Sequence, residues 1–291
     1  MAIDKSIDRT KTLGGSDMGT IMGCNPYKDR VDLWLEKTGR VAPVDLSNKP
    51  AVIWGNLQEE MILDYYDMIH QTKIERDEHI RGLTPDFIVA NIDGYCPKEN
   101  LLIEAKTASF MAYVKLWGEG FPDLAGVLVN EKEQIPASYM CQIQLYMWAK
   151  NATAGKLVLK ADSCTYVEYP IARNQKLIDE MIEAAQEFWH LVQTDKQPKP
   201  RTYDEAMKLW FPLKEELAVT ADDECMLAWQ MLKEMKDEEE RLEERKARCK
   251  FVMLEKLQET GGTCLVDSQG KKVGSATLDK NGRKRFQARG F

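Results

Sequence analysis

The sequence contains no Cys-x-x-Cys pair: its seven cysteines, at positions 24, 96, 141, 164, 225, 249 and 264, are scattered along 291 residues. That dispersal argues against a disulfide framework, a structural zinc site and a cysteine-ligated cluster, and leaves buried thiols in a reducing compartment as the expectation. Histidine is equally scarce. The three that occur, His70, His79 and His190, lie far apart, with no third partner at metal-ligand spacing. No apolar run approaches the roughly 20 residues needed to cross a bilayer, and the opening MAIDKSIDRTK lacks the apolar stretch of a secretory signal. The expectation is a cytoplasmic protein with no membrane partner.

What is present is the composition of a folded domain, 44% hydrophobic and 30% charged. A chain of this length buries one sizeable core, with room for an appendage. The net charge of −7 by itself argues against a nucleic-acid partner, but the charge is unevenly spread: Lys271 to Phe291 carries seven Lys or Arg against the single Asp279, while KDEEERLEE concentrates acid. Local fields rather than the total decide what a surface attracts.

Along the chain, GGSDMGTIMG predicts a short helix with Ser16 and Asp17 as N-cap candidates, and DRVDLWLEKTG a second from Asp29 to Gly39. KPAVIWGNLQEEMILDYYDMIH gives a longer amphipathic helix carrying Glu59. Strands are expected at about 73–78, 86–92 and 100–107, the last two joined by DGYCPKEN. A helix from Pro136 to Lys150, the strands KLVLKA and TYVEYPI, and a helix over 174–194 complete an α/β core. Trp34, Trp54 and Trp189 fall on apolar faces and are expected in that core. QPKPRTYDE reads as a linker, so the core is placed at residues 1–198 and a C-terminal part at 199–291, made of a long helical arm starting near Asp222 and a basic hairpin. Apolar positions recur every seven residues at Ala228, Met235, Leu242 and Cys249, but Glu238 and Arg245 break the partner positions, so no coiled coil is expected.

The segment NLLIEAKTAS places two charges inside an otherwise apolar strand. Side chains alternate along an extended chain, so Leu102, Glu104 and Lys106 share one face while Leu101, Ile103 and Ala105 share the other. Alone, such a pair reads as a salt bridge at a sheet edge. Asp93 lies eleven residues before Glu104, and a hairpin between their strands would bring both carboxylates to one end of the sheet. Together they would form a hard oxygen site for Mg2+ or Mn2+, with the Ala105 carbonyl as a further ligand. Phosphodiester cleavage requires such a site, and Lys106 beside it could orient or deprotonate a water or stabilise developing charge.

These residues carry a resemblance. IDGYCPKENLLIEAKT resembles the D-x(n)-E-x-K signature of the PD-(D/E)XK, or restriction-endonuclease-like, nuclease superfamily. LGGSDMGTIMGCNPYKDRVDLWLEKTG, WGNLQEE and PASYMCQIQLYMWA resemble, in order, the blocks of one branch, the phage-lambda-type exonucleases or YqaJ-like viral recombinases. One departure is that the usual acidic-plus-proline start of the hairpin reads NIDG here. The resemblance covers roughly residues 8–195 and implies a restriction-endonuclease-like core with a central mixed β-sheet flanked by helices. It implies Glu59, Asp93 and Glu104 as metal ligands, with Glu60 the neighbouring alternative to Glu59, holding two Mg2+ ions (or Mn2+) per site, and Lys106 as the catalytic lysine. Gln142 and Tyr146, one helical turn apart, would support the site or contact DNA, while Gln144 points elsewhere. Arg9 and Ser16 stand where the family holds a 5′-phosphate, which a helix N-terminus suits. The activity implied is digestion of one strand of linear duplex DNA from a 5′ end, leaving a 3′ single strand for an annealing recombinase, by a ring of three or four subunits. If phage-encoded, the protein would act in the host cytoplasm. A catalytically inactive DNA-end-binding protein and an endonuclease on the same fold are the alternatives.

Overall fold

A computed structural model of the chain describes residues 9–117, 121–122, 128–129, 135–162, 164–210 and 216–289. The first eight residues of the N-terminal stretch and the last two of the basic tail lie outside them. The chain divides into two compact units, Met1–Phe211 and Pro212–Phe291.

The first unit begins with α1 (Gly15–Ile21), α2 (Arg30–Lys37) and α3 (Pro50–His70), followed by β1 (Glu75–Ile80), β2 (Ala90–Cys96) and β3 (Leu101–Ala108). After a single turn, α4 (Phe110–Ala112), and two short strands, β4 (Phe121–Pro122) and β5 (Leu128–Val129), come α5 (Ala137–Lys150), β6 (Ala154–Ala161), β7 (Thr165–Ala172), α6 (Gln175–Gln193) and α7 (Tyr203–Leu209). The strands form one mixed sheet in the order β1-β2-β3-β6-β7-β5-β4. It is antiparallel through β1, β2 and β3, parallel from β3 to β6, and antiparallel again from β6 to β7. A parallel step needs a crossover, and α5 supplies it.

Alternation along β3 decides what each layer holds. Leu102 joins Ile143, Tyr146 and Met147 of α5 on one face. Leu101, Ile103 and Ala105 meet Ile62, Leu63 and Tyr66 of α3 on the other. A further cluster, with Leu13, Met18, Trp34, Leu145, Ile178 and Phe188, welds α1, α2, α5 and α6 together. Helices therefore cover both faces of the sheet and explain why β3 reads as a nearly continuous apolar run.

Three expectations need correction. The second strand starts at Ala90 rather than near residue 86, because the chain before it pairs with Leu13 instead: the Leu13 N–H donates to the Phe87 carbonyl at 2.7 Å and the Val89 N–H to the Leu13 carbonyl at 2.9 Å. Asp93 consequently lies within β2 rather than at its end. Trp34 and Trp189 are buried as expected, but Trp54 is 61% exposed, since α3 turns Ile62, Leu63 and Tyr66 to the sheet and Trp54 outward. The stretch expected as a linker runs into α7, whose buried Leu209 joins the core of the first unit.

In the second unit α8 (Asp223–Thr260) is capped by Asp222, which accepts the Cys225 N–H at 2.8 Å, and is closed by Gly261 at φ +66°. A three-stranded sheet, β10-β9-β8, follows, formed by β8 (Cys264–Val266), β9 (Lys272–Leu278) and β10 (Lys284–Ala288). Leu257 is buried, and Met253 closes on Gly274, where an added Cβ would lie 2.9 Å from its methyl. Lys271, Lys272, Lys280, Arg283, Lys284, Arg285 and Arg289 are all exposed on this sheet and its turns.

Candidate active site

The β2–β3 ladder ends at the pair Gly94–Ile103. One step further, Asp93 and Glu104 stand opposite each other, and the Asp93 side chain takes over from the ladder: its Oδ2 accepts the Ala105 N–H at 3.0 Å. The N–H and C=O of a strand residue point to the same edge, so the Ala105 carbonyl is directed to this same opening. Gly94 makes the arrangement feasible, because an added Cβ would lie 2.8 Å from Ile74 Cδ1.

Glu104, 1% exposed, is held from two sides. Its Oε1 accepts from Lys106 Nζ at 2.5 Å and from Gln142 Nε2 at 2.7 Å. Its Oε2 is buried with no hydrogen-bond partner. Gln142 Nε2 also donates to Tyr146 Oη at 3.2 Å, and the Lys106 ammonium lies 5.3 Å from the Tyr139 ring centroid. Thus α5 presents Tyr139, Gln142 and Tyr146 along one face to the charged side of β3, as i, i+3 and i+4 spacings allow.

Ionisation follows from this crowding. Burial first, then the Glu104 charge, pushes the Asp93 carboxyl above its usual range. Glu104 is raised chiefly by burial, with Lys106 opposing and Glu59 adding to the shift. Half-buried Glu59, on α3, is raised by burial and then by Asp93. Burial pushes Lys106 down, but Glu104 and Asp93 outweigh it and hold it as an ammonium. Among the described residues, three carboxyl groups therefore crowd around the Lys106 ammonium in a poorly solvated place. Among the described residues no group of three or more His, Cys, Asp or Glu side chains is arranged to hold a metal ion. The donor set nonetheless fits a hard divalent cation: acidic oxygens in excess of positive charge, and one buried carboxylate oxygen without a donor.

Six of the expected residues, Glu59, Asp93, Glu104, Lys106, Gln142 and Tyr146, are brought to one place. Glu60 is directed away from them, paired to Arg76 at 2.8 Å. Gln144 bridges the Ala172 carbonyl and the Asn174 N–H at 2.8 and 2.9 Å and is a structural residue. Ser16 is exposed at the second position of α1 rather than capping it. The cap is Gly14, whose N–H donates to Asp17 Oδ2 at 3.1 Å. Gly15, the first residue of the helix, abuts Tyr146, where an added Cβ would come within 2.5 Å of the ring. Arg9 stands exposed in a 3-10 turn, Arg9–Lys11.

Two residues were not singled out in the sequence. Lys37 fastens the N-terminal block, its ammonium reaching the Arg9 and Thr12 carbonyls at 2.7 Å each and Asp17 at 3.0 Å. Gly15 sets how closely α1 approaches α5. Its only sequence signal was the GGS run, which reads equally well as a cap.

The fold so assembled is similar to that of solved exonuclease structures. The crystal structure of the alkaline exonuclease LHK-Exo from Laribacter hongkongensis matches with a TM-score of 0.50 at 16% identity, over 64% of this chain and 90% of that one. The same enzyme in complex with dAMP matches equally. Residues 7–155 match the YqaJ-like viral recombinase domain, and the chain belongs to that family. The Bacillus subtilis (strain 168) protein YqaJ, described as uncharacterized, is 34% identical over 188 residues, 63% of this chain and 54% of that protein. The chain thus spans about half the length of that relative.

Proposed function

We propose that this protein is a metal-dependent exonuclease that degrades one strand of linear double-stranded DNA in the 5′ to 3′ direction, leaving 3′ single-stranded tails for phage recombination by strand annealing. One observation carries the reading: Asp93, Glu104 and Lys106 are gathered beside Glu59 at a break in the sheet, with a buried Glu104 oxygen left unpaired. Family membership and an exonuclease-like fold agree with it.

Glu59, Asp93, Glu104 and the Ala105 carbonyl would hold Mg2+, or Mn2+ in its place, two ions per site. Such ions, when bound, neutralise charge on the phosphate and lower the pKa of a water. The chain's own residues do the positioning. Gln142 fixes one oxygen of Glu104, leaving the other available, and Tyr146 fixes Gln142. Lys106, held as an ammonium, orients the nucleophile or meets negative charge developing on the phosphate. Arg9 and Ser16 hold the 5′-phosphate at the start of α1, whose first turn rests on Tyr146. A homo-oligomeric ring of three or four subunits encloses the duplex, the exposed basic residues of β9 and β10 track its backbone, and a single-strand annealing recombinase receives the product. Contacts to backbone phosphate make binding salt-sensitive without reading sequence.

Linear and covalently closed duplexes, labelled at either end, with and without a 5′-phosphate and Mg2+, test the proposal. Loss of label from the 5′ end of the linear substrate alone is expected, abolished in Asp93→Asn and Lys106→Ala. Cleavage of closed circles would point to an endonuclease, and binding of ends without cleavage to an assembly protein. Undiminished digestion by Lys106→Ala removes the lysine from the mechanism.

A further inference from the structure

We propose that Cys24 and Cys141 are a modification site: a reversible disulfide, closed by a small-molecule disulfide such as oxidised glutathione, that clamps the loop after α1 onto α5. The inference stands on the placement of the two thiols and does not depend on the nuclease reading.

The packing of α1 on α5 brings the two sulfurs together. Gly19 of α1 lies so close to Ser138 of α5 that an added Cβ would be 2.8 Å from the Ser138 Cβ and 3.0 Å from its Cα. After α1 the chain turns back on itself through Gly23, at φ +76°. The turn ends on the Gly19 carbonyl, which accepts the Cys24 N–H at 2.8 Å, the Asn25 N–H at 3.0 Å and the Cys24 thiol at 3.4 Å. Asn25 secures the same loop by donating from Nδ2 to Thr20 Oγ1 at 2.9 Å. Cys141 stands three residues beyond Ser138, on the same side of α5. Two cysteines 117 positions apart in sequence thus face each other with their Sγ atoms at 3.8 Å. A disulfide bond is ~2.05 Å long, so about 1.7 Å of approach, shared between a loop and a helix, completes it.

The two thiols are unlike, and the difference sets the order of events. Cys141 is 5% exposed, within the cluster that joins α1, α2, α5 and α6, whereas Cys24 is partly open to solvent. Burial first, then Cys24, pushes the Cys141 thiol up to about 12. It therefore stays protonated and unreactive toward reagents in solution, and a small disulfide RSSR meets Cys24 first. The Cys24 thiolate attacks one sulfur of RSSR to give a mixed disulfide, and the other sulfur leaves as RS−, which takes up the proton Cys24 released. Cys141 then gives up its proton and attacks the Cys24 sulfur, expelling a second RS− that takes up that proton. Two protein thiols become one disulfide and one RSSR becomes two RSH, two electrons passing from protein to reagent. Fixed neighbours react at effective concentrations far above those of free thiols, which offsets the scarcity of Cys141 thiolate. The remaining cysteines are placed differently: Cys164, Cys225, Cys249 and Cys264 are exposed, and buried Cys96 lies 3.7 Å from Thr72 Oγ1.

The full-length chain carrying Cys164→Ser, Cys225→Ser, Cys249→Ser and Cys264→Ser tests this without competing surface thiols. Treated with millimolar oxidised glutathione, it should lose two hydrogens in mass and yield, on non-reducing digestion, the Cys24 peptide joined to the Cys141 peptide. It should also melt at least about 5 °C higher, since a cross-link closing so long a loop constrains the unfolded chain. Dithiothreitol should reverse all three changes. In the same background, Cys141→Ala should stop at a glutathione adduct on Cys24, and Cys24→Ser should show neither adduct nor cross-link at Cys141. Free thiols at both positions after treatment, an adduct on Cys24 that never advances to the cross-link, a cross-link to Cys96 instead, or a cross-linked protein with an unchanged melting temperature would overturn the proposal. None of these readouts uses DNA cleavage, so a failure here is separable from a failure of the nuclease reading.

Discussion

Gly15→Ala tests how tightly the first turn of α1 is coupled to the site. The added Cβ would lie 2.5 Å from Tyr146 Cε1, 2.6 Å from Cζ and 2.7 Å from Oη, whereas carbon atoms rest at ~3.5–4.0 Å. About one ångström must therefore be made. The ring is nearly buried, and its neighbours on α5, Ile143, Leu145 and Met147, are fully enclosed, so the helix cannot retreat cheaply. Overpacking of this kind costs about 1–3 kcal/mol, and replacing a helical glycine by alanine offsets up to ~1 kcal/mol of it. A net loss of about 1–2 kcal/mol should lower the melting temperature of a unit this size by about 2–8 °C. Ring displacement also disturbs the 3.2 Å bond to Gln142 and, through it, the 2.7 Å bond to Glu104. A hydrogen bond to a charged group contributes ~1.5–3 kcal/mol, so on the proposed function digestion of linear duplex should slow at least about tenfold. Thermal unfolding of Gly15→Ala, Tyr146→Ala and the double variant measures the coupling directly. Gly14→Ala, where nothing lies within 4 Å of the added carbon, is the control. Removing the ring should relieve the clash, leaving the double variant more stable than the sum of the singles by about 1–2 kcal/mol. Additivity within ~0.5 kcal/mol would refute the reasoning.

Lys37→Met should lower unfolding free energy by about 2–3 kcal/mol in urea titrations, because two carbonyls and Asp17 lose one ammonium. Gln144→Leu leaves the Ala172 carbonyl and the Asn174 N–H unpaired. It should cost about 2 kcal/mol without changing the rate on linear duplex per folded molecule. Burial pushes the Asp29 carboxyl up, but Lys208 and the Asp32 N–H outweigh it and hold it below the usual range. A depressed folded value stabilises above the unfolded pKa near ~3.9 and is lost as pH falls through the folded value. The urea midpoint of Lys208→Met should therefore lie below wild type at neutral pH, by less than about 1 kcal/mol for so solvated a pair, and coincide with it in strong acid.

Alternation made the chemistry of β3 legible: a two-residue period separates Glu104 and Lys106 from Ile103 and Ala105 whatever the partners are. The long α8 was equally legible, its start expected near Asp222. Other features depend on contacts distant in sequence. Nothing local says that residues 87–89 pair with Leu13, which delays β2 and puts Asp93 inside it. Nor does periodicity say which apolar face of α3 meets the sheet. Helix α3 carries apolar residues over more of its circumference than the sheet can cover, so Trp54 reads as core although it is exposed. Lys37 was not singled out because its three acceptors belong to segments brought near only by folding.

The bond from Asp93 to the Ala105 amide has a practical consequence for anyone wanting an inert version of the protein for trapping a substrate. Truncating that aspartate to alanine would strip a strand amide of its acceptor and loosen the seam between two strands, confusing lost chemistry with lost shape. Asparagine keeps an oxygen for the amide while removing the charge, and is the cleaner way to silence the molecule.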